Sequence, residues 1–300
     1  MSTVQQPAMP ARTVRRSVRS ALTPTKIGGR LLLLVAWLIG LICVFPIAWT
    51  VFASFRPDSS FFVNPFGINV HELMPYNYRS AWNQVDFATG FKNSAVQVII
   101  ILATTLFFCP LAGYGFAKFD FRGKRFLFGL MMLTLFFVPI TQYIPLLLEL
   151  NNFGWLDTYH GLVIPLLVSS LGIFWMNGVI AGVPNELLHA ARVDGCGLFS
   201  TWWRVVMPVI KPALVSLAIV TFLTAYNDYF WPLLVVPALP TVQMQLGALQ
   251  AAMLLNAQTT TSNWGAMLAG SVIVFAPTVV VFLVMQRFFL RGVLQGSIKE

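Results

Sequence analysis

The sequence predicts an all-α, polytopic membrane protein with six transmembrane helices, and three observations carry that reading. The chain of 300 residues is 57% hydrophobic and only 10% charged, whereas a soluble domain of this size carries roughly a quarter charged residues. Six apolar runs, at 31–52, 94–117, 126–148, 161–183, 213–236 and 264–286, are each long enough to cross a hydrocarbon core of about 30 Å. The charges avoid these runs: Asp228 is the one Asp, Glu, Lys or Arg inside any of them.

Taken in order, segment 1–30 is rich in Ser, Thr, Pro and Arg and reads as a disordered basic tail. The membrane domain spans 31–290. Its first apolar run imitates a secretory signal, but it is longer than a signal's apolar region. No small-residue cleavage site precedes Arg56-Pro57-Asp58, so the run reads as an uncleaved span. Residues 56–93 are too many for a simple turn and carry Pro57, Pro65, Pro75 and the aromatic stretch 76–82. Pro139 and Pro145 in the third run, Pro165 in the fourth and Pro277 in the sixth each remove a helix hydrogen bond and bend the span. Bent spans suit a pathway that opens and closes, and they also occur in inert bundles. Residues 237–263 hold no charge and end in the polar run 258–263. They read as an outer loop suited to a neutral polar ligand or a protein cap, or else as a solvated connector. Segment 291–300 is a short C-terminal tail.

The net charge of +9 is a topology signal. Of the 19 Lys and Arg, all but Arg56, Arg79 and Lys92 fall in the tails or in the loops on the side of residues 118–125 and 184–212. The positive-inside bias puts both termini and the 184–212 loop in the cytoplasm. This placement leaves no nucleic-acid footprint to explain.

No catalytic constellation is present. The chain has no G-x-x-x-x-G-K-[ST] phosphate loop, and His71, His160 and His189 are scattered over both sides. Cys43, Cys109 and Cys196 have no ligand spacing and read as small hydrophobes. The sequence therefore implies a non-enzyme with no cofactor and no metal. Asp228 stands out because an ionisable group within an apolar run is a functional candidate by default. With Tyr226, Asn227 and Trp231 it could line the outer half of a route, offering polar groups and an aromatic face to a sugar. It could equally be a structural hydrogen bonder. A third use, as the proton or cation site of a stand-alone ion-coupled carrier, makes a rival reading of the whole chain.

The stretch 184–212 is longer than a connection between spans needs to be. Asn185 offers a helix cap and Glu186 an acidic first turn. Leu187, Leu188, Ala191 and Val193 give a short apolar face, and Gly195 and Gly197 end the helix. A second helix over 198–207 follows, with Phe199, Trp202, Trp203 and Val206 at helical spacing, stopped by Pro208 and Pro212. Such an elbow suits docking; adjacent tryptophans also suit an interfacial belt.

Motifs along the chain then converge. Ala190-Ala191-Arg192-Val193-Asp194-Gly195, followed by Val206-Met207-Pro208, resembles the EAA motif of ABC importer permeases. Tyr226-Asn227-Asp228-Tyr229-Phe230-Trp231-Pro232 resembles their W-N-D-F-x-W-P signature, and 286–292 resembles their Q-R-x-F-x-R-G ending. Asn93-Ser94, 117–124 and Ile144-Pro145-Leu146 precede them in family order. The likeness covers nearly everything after residue 30 and is greatest to the carbohydrate-uptake branch that includes maltose-type permeases.

The resemblance implies a type I ABC importer (MetI-like) permease fold in a bacterial cell membrane. It implies a sister permease forming a heterodimer, two ATPase subunits, an extracytoplasmic solute-binding protein and a di- or oligosaccharide substrate. Close relatives handle glycerol-phosphate-type solutes. The motif carries ATPase coupling onto Glu186, His189, Ala190, Ala191, Asp194 and Gly195. Ala190 and Ala191 would allow close approach, Asp194 would cap or pair, and Gly195 would supply the turn. His189 occupies the motif's Glu position; either Glu186 replaces that Glu or the contact differs. The tail 291–300 would reach between the ATPases.

Overall fold

The computed structural model describes residues 26–58, 61, 64, 67, 74–256 and 263–297. Among these there is helix and turn but no strand. Helix α1 (Lys26–Ala53) starts inside the segment expected to be a disordered tail; residues 1–25 lie outside the described residues. Up to Trp49 it belongs to a unit of its own, separate from Thr50–Glu300. Its side chains 32–48 are all exposed, as an apolar helix in hydrocarbon requires.

The second unit comprises α2 (Tyr76–Gln84), α3 (Phe87–Lys118), α4 (Lys124–Leu133), α5 (Pro139–Asn152), α6 (Tyr159–Val163), α7 (Ser170–Ala181), α8 (Asn185–Val193), α9 (Leu198–Val209), α10 (Lys211–Tyr226), α11 (Phe230–Val235), α12 (Val242–Asn256) and α13 (Trp264–Ser297). Among the described residues four helical segments, α1, α3, α6 with α7, and α13, are long and apolar enough to cross a membrane. Counting the bent pairs α4–α5 and α9–α10 gives six.

Hydrogen bonds at the helix ends fix the topology. At one end the Tyr159 hydroxyl donates to Asn93 Oδ1 at 2.6 Å. At the other, Lys118 Nζ donates to the Val183 carbonyl at 2.6 Å. Helix α3 and the α6–α7 segment therefore run parallel, and the chain between Lys118 and Tyr159 must cross back once. The α4–α5 pair makes that return with a bend of 104°, placed where Pro139 opens α5.

Three of the expected spans are broken helices. The third bends before Pro139, and the fourth passes through a 3-10 turn at Ile164–Leu166 containing Pro165. The fifth ends at Tyr226 and resumes at Phe230. The start of α6 and the restarts at α7 and α11 each have a capping oxygen. Thr158 accepts from Gly161 N at 3.3 Å, Ser169 from Gly172 N at 3.2 Å, and Asp228 from Trp231 N at 3.3 Å. Such caps satisfy amides that have no intrahelical partner.

The segment read as an outer loop, 237–263, contains the 15-residue helix α12. It packs on α3 and α13 and is tied to α3: Asn93 Nδ2 donates to the Pro240 carbonyl at 2.9 Å and Val242 N donates to Ser94 Oγ at 2.9 Å. At about 1.5 Å per residue it is too short to span. Its alternation of Gln and apolar residues hid a helix whose partners lie far away in sequence.

Helix α3 is the spine. Gly90, Ser94, Gln97, Ile101, Thr105, Cys109 and Gly113 are buried along it at helical spacing. Two cores divide its length. One gathers Phe87, Ile101, Leu162, Trp231, Val235 and Leu249; the other gathers Cys109, Tyr114, Met176, Ile180, Leu188, Trp202 and Val206. The α3–α7 seam is closed by small residues: a Cβ on Gly113 would lie 2.8 Å from Asn177 N, and one on Gly172 2.9 Å from Cys109 Sγ. Close packing of this kind, rather than a hydrophobic effect, holds helices together in lipid. Gly113→Leu is therefore expected to destabilise the purified protein by about 1–3 kcal/mol, read as a lower thermal midpoint in detergent. Gly115→Leu, where nothing lies within 4 Å, is the control expected to leave it unchanged.

Candidate functional site

The elbow 184–212 folds as two helices mounted on the second core. Pro184, rather than Asn185, sits at the N-cap position of α8 and makes no side-chain cap bond. Helix α8 closes at Gly195, whose φ is +78°. Gly195 N donates to the Arg192 carbonyl at 3.0 Å and Cys196 N to the Ala191 carbonyl at 2.9 Å, a Schellman arrangement that a residue with a Cβ disfavours. Helix α9 runs through Pro208 to Val209 and turns by 81° into α10, so the stop expected at Pro208 comes two residues later. A π turn occupies Trp202–Val206. Pro208 lacks the amide that an α-helix would aim at the Arg204 carbonyl.

The apolar residues of the elbow divide between two faces. Leu188, Ala191, Trp202 and Val206 are buried. Trp202, 0% exposed, stands edge-on to Phe107 of α3 with ring centroids 5.4 Å apart. Facing away are Leu187, Leu198, Phe199, Trp203 and Val193, the last 88% exposed. The two tryptophans thus do not form one interfacial belt: one anchors the elbow and the other is half exposed. Of the residues assigned to coupling, Glu186, His189, Ala190, Asp194 and Gly195 are exposed while Ala191 is buried. The Asp194 backbone amide caps onto the Ala190 carbonyl.

The second feature is a cavity of about 360 Å³ between α3, the break in the fourth span and α10. Thr105, Ser169, Thr221, Thr224 and Asp228 give it polar edges, and Ile101, Pro165, Trp175 and Leu217 give it apolar walls. Of the four residues expected to line a route, Asp228 alone borders it. Tyr226 is buried, its hydroxyl donating to the Val274 carbonyl at 2.8 Å. Trp231 is 1% exposed, its indole N–H donating to the Leu162 carbonyl at 3.1 Å. Asn227 is exposed and accepts from Gln243 Nε2 at 3.2 Å. Asp228 caps α11, its Oδ1 accepting from Trp231 N at 3.3 Å. The four threonine and serine residues around the cavity were not singled out, because isolated hydroxyls in apolar runs usually bond their own helix. Thr224 does so, donating to the Val220 carbonyl at 3.0 Å while remaining at the cavity edge. Among the described residues no group of His, Cys, Asp or Glu could hold a metal ion.

Residues 110–294 match the family described as the binding-protein-dependent transport system inner membrane component, and the chain belongs to that family. It is an inner-membrane permease component of the ABC importer class and a multi-pass membrane protein. The arabinooligosaccharide transport permease of Halalkalibacterium halodurans is 30% identical over 264 residues, covering 87% of this chain and 93% of the relative. The diacetylchitobiose uptake permease of Streptomyces coelicolor is 28% identical, covering 89% and 87%. The sn-glycerol-3-phosphate permease of Yersinia pestis is 29% identical, covering 86% and 92%. A chain of a bacterial ABC transporter involved in import of the acidic polysaccharide alginate shares the fold with TM-score 0.73. It is 23% identical and covers 88% of this chain and 96% of its own.

The asymmetry of the tryptophans is measurable. Trp202→Ala is expected to cost about 3–5 kcal/mol of stability, whereas Trp203→Ala should fall within about 0.5 kcal/mol. Thermal unfolding of the two purified variants compares them.

Proposed function

We propose that this permease forms half of the pathway of an ATP-driven carbohydrate importer. It would pair with a sister permease as a heterodimer, seat one of two ATPase subunits against its elbow and receive a di- or oligosaccharide from an extracytoplasmic solute-binding protein. The observation that carries the reading is the α8–α9 elbow, fixed to the body by Trp202 and Leu188 while Leu187, Val193 and Phe199 face outward. An apolar knob ringed by Glu186, His189 and Asp194 suits insertion into a cleft of another subunit. The charge partition supports placing that elbow and both termini in the cytoplasm. Helical backbone continues through 291–297, which supports a stiff tail directed to the same partners.

Carbohydrate, rather than a phosphoester, is favoured by the cavity. Its lining among the described residues holds hydroxyls, a tryptophan and one carboxylate, with no Lys, Arg or His. An anionic solute would meet Asp228 without a compensating cation. Two of the relatives named above are, by their descriptions, permeases for arabinooligosaccharides and diacetylchitobiose.

Deleting residues 186–196 is expected to abolish ATP-driven uptake while leaving membrane insertion intact; normal uptake by the deletion would refute the coupling role. Uptake should stop with vanadate and survive an uncoupler, and the reverse result would instead establish an ion-coupled carrier centred on Asp228. Asp228→Asn keeps an acceptor for Trp231 N–H, so the variant should assemble. Its apparent KM for solute should rise about tenfold, the loss expected for one hydrogen bond to a charged group.

A further inference from the structure

We infer that Lys118 is a positioning residue for transport, a clasp that ties the docking elbow to the helix forming the cavity wall. The inference rests on the reading of α8–α9 as the ATPase seat. Lys118 ends α3, and its ammonium donates to three acceptors: the Val183 carbonyl at 2.6 Å, Asn185 Oδ1 at 2.9 Å and the Ala181 carbonyl at 3.4 Å. Those acceptors span the junction between two elements. Ala181 is the last residue of α7, Val183 lies in the connector, and Asn185 opens α8.

The chemistry fits a clasp rather than a surface charge. A helix leaves its last carbonyls without intrahelical partners and carries partial negative charge there. An ammonium has three donors and no acceptor, and here all three are engaged. Bonds from a charged donor are the stronger kind. The connector between α7 and α8 is Gly182-Val183-Pro184, too short to transmit a push sideways unless something braces it. Lys118 braces it against α3. About 20–25 Å back along α3, at roughly 1.5 Å per residue, Thr105 and Ile101 stand in the cavity wall. A displacement of α8 is thereby delivered to the wall of the solute route by a polar link, beside the apolar link that Trp202 makes from α9 to Phe107. The two links differ in kind. Packing at Trp202 holds the elbow in place, whereas directional bonds at Lys118 hold its angle.

The test is the number of solute molecules moved per ATP hydrolysed in the purified, fully assembled importer reconstituted in vesicles. A residue needed only for folding lowers both rates together and leaves this ratio alone. Lys118→Met keeps the length of the side chain and removes charge and donors; the ratio is expected to fall about tenfold. Lys118→Arg, which keeps the charge in a planar fork, should lie between Met and the native protein. An unchanged ratio in Lys118→Met overturns the inference. Should that variant not assemble, Asn185→Ala, which removes one acceptor only, decides: a lowered ratio supports the clasp and an unchanged ratio overturns it. Absence of ATP-driven uptake by the native assembly would instead sink the docking reading, and this inference with it.

Discussion

The governing constraint is that hydrocarbon offers no partner to a backbone amide or carbonyl. A span can be interrupted only where the protein itself replaces the lost bonds, and this chain interrupts spans repeatedly. Thr158, Ser169 and Asp228 each stand one turn before an amide that would otherwise be bare, and each accepts from it. At the opposite polarity, Lys118 takes the last carbonyl of α7 and that of Val183 in the connector after it. Polar residues in the greasy part of this molecule are thus first of all repairs to the backbone. Where a repaired break borders a cavity, as at Ser169 and Asp228, the same group also lines that cavity. Backbone repair and cavity lining use one set of atoms.

That economy shapes the elbow as well. Its inward face is continuous with the core through Leu188, Trp202 and Val206, so the second core extends out of the spans into α8 and α9. Its outward face is apolar without being covered. A segment both rooted in the interior and unfinished on its surface is mechanically suited to carry displacement between subunits. A loop joined to the body only by covalent connectors would absorb the same displacement.

Much of this was legible beforehand, for definable reasons. Long apolar runs and the partition of Lys and Arg report the bilayer directly, so the spans and the elbow follow from composition and spacing. Gly195 was legible because a positive φ after a short amphipathic helix leaves a glycine in the sequence. What escaped depended on contacts across distance. The break after Tyr226 escaped because Asn227 and Asp228 read as polar groups on a continuous span, whereas the bend at Pro165 was expected from its proline. Helix α12 read as loop because its apolar residues face α3 and α13 rather than forming a span. Tyr226 and Trp231 read as route residues because a polar tip on an aromatic ring does not say which way it points; here both tips are tied to carbonyls of other helices. Lys118 read as one topology charge among several, since its acceptors lie more than sixty positions away.

The last helix carries a geometric consequence. With 34 residues, α13 is about 51 Å long, so about 20 Å of it stands clear of a hydrocarbon layer of roughly 30 Å. Pro277 lies inside it, at the natural place for a bend. From that proline to Ser297 is about 30 Å of rod, so a tilt of roughly 10° there sweeps the tip through about 5 Å. A change in packing too small to notice among the spans becomes, outside the bilayer, a stroke longer than a water molecule is wide.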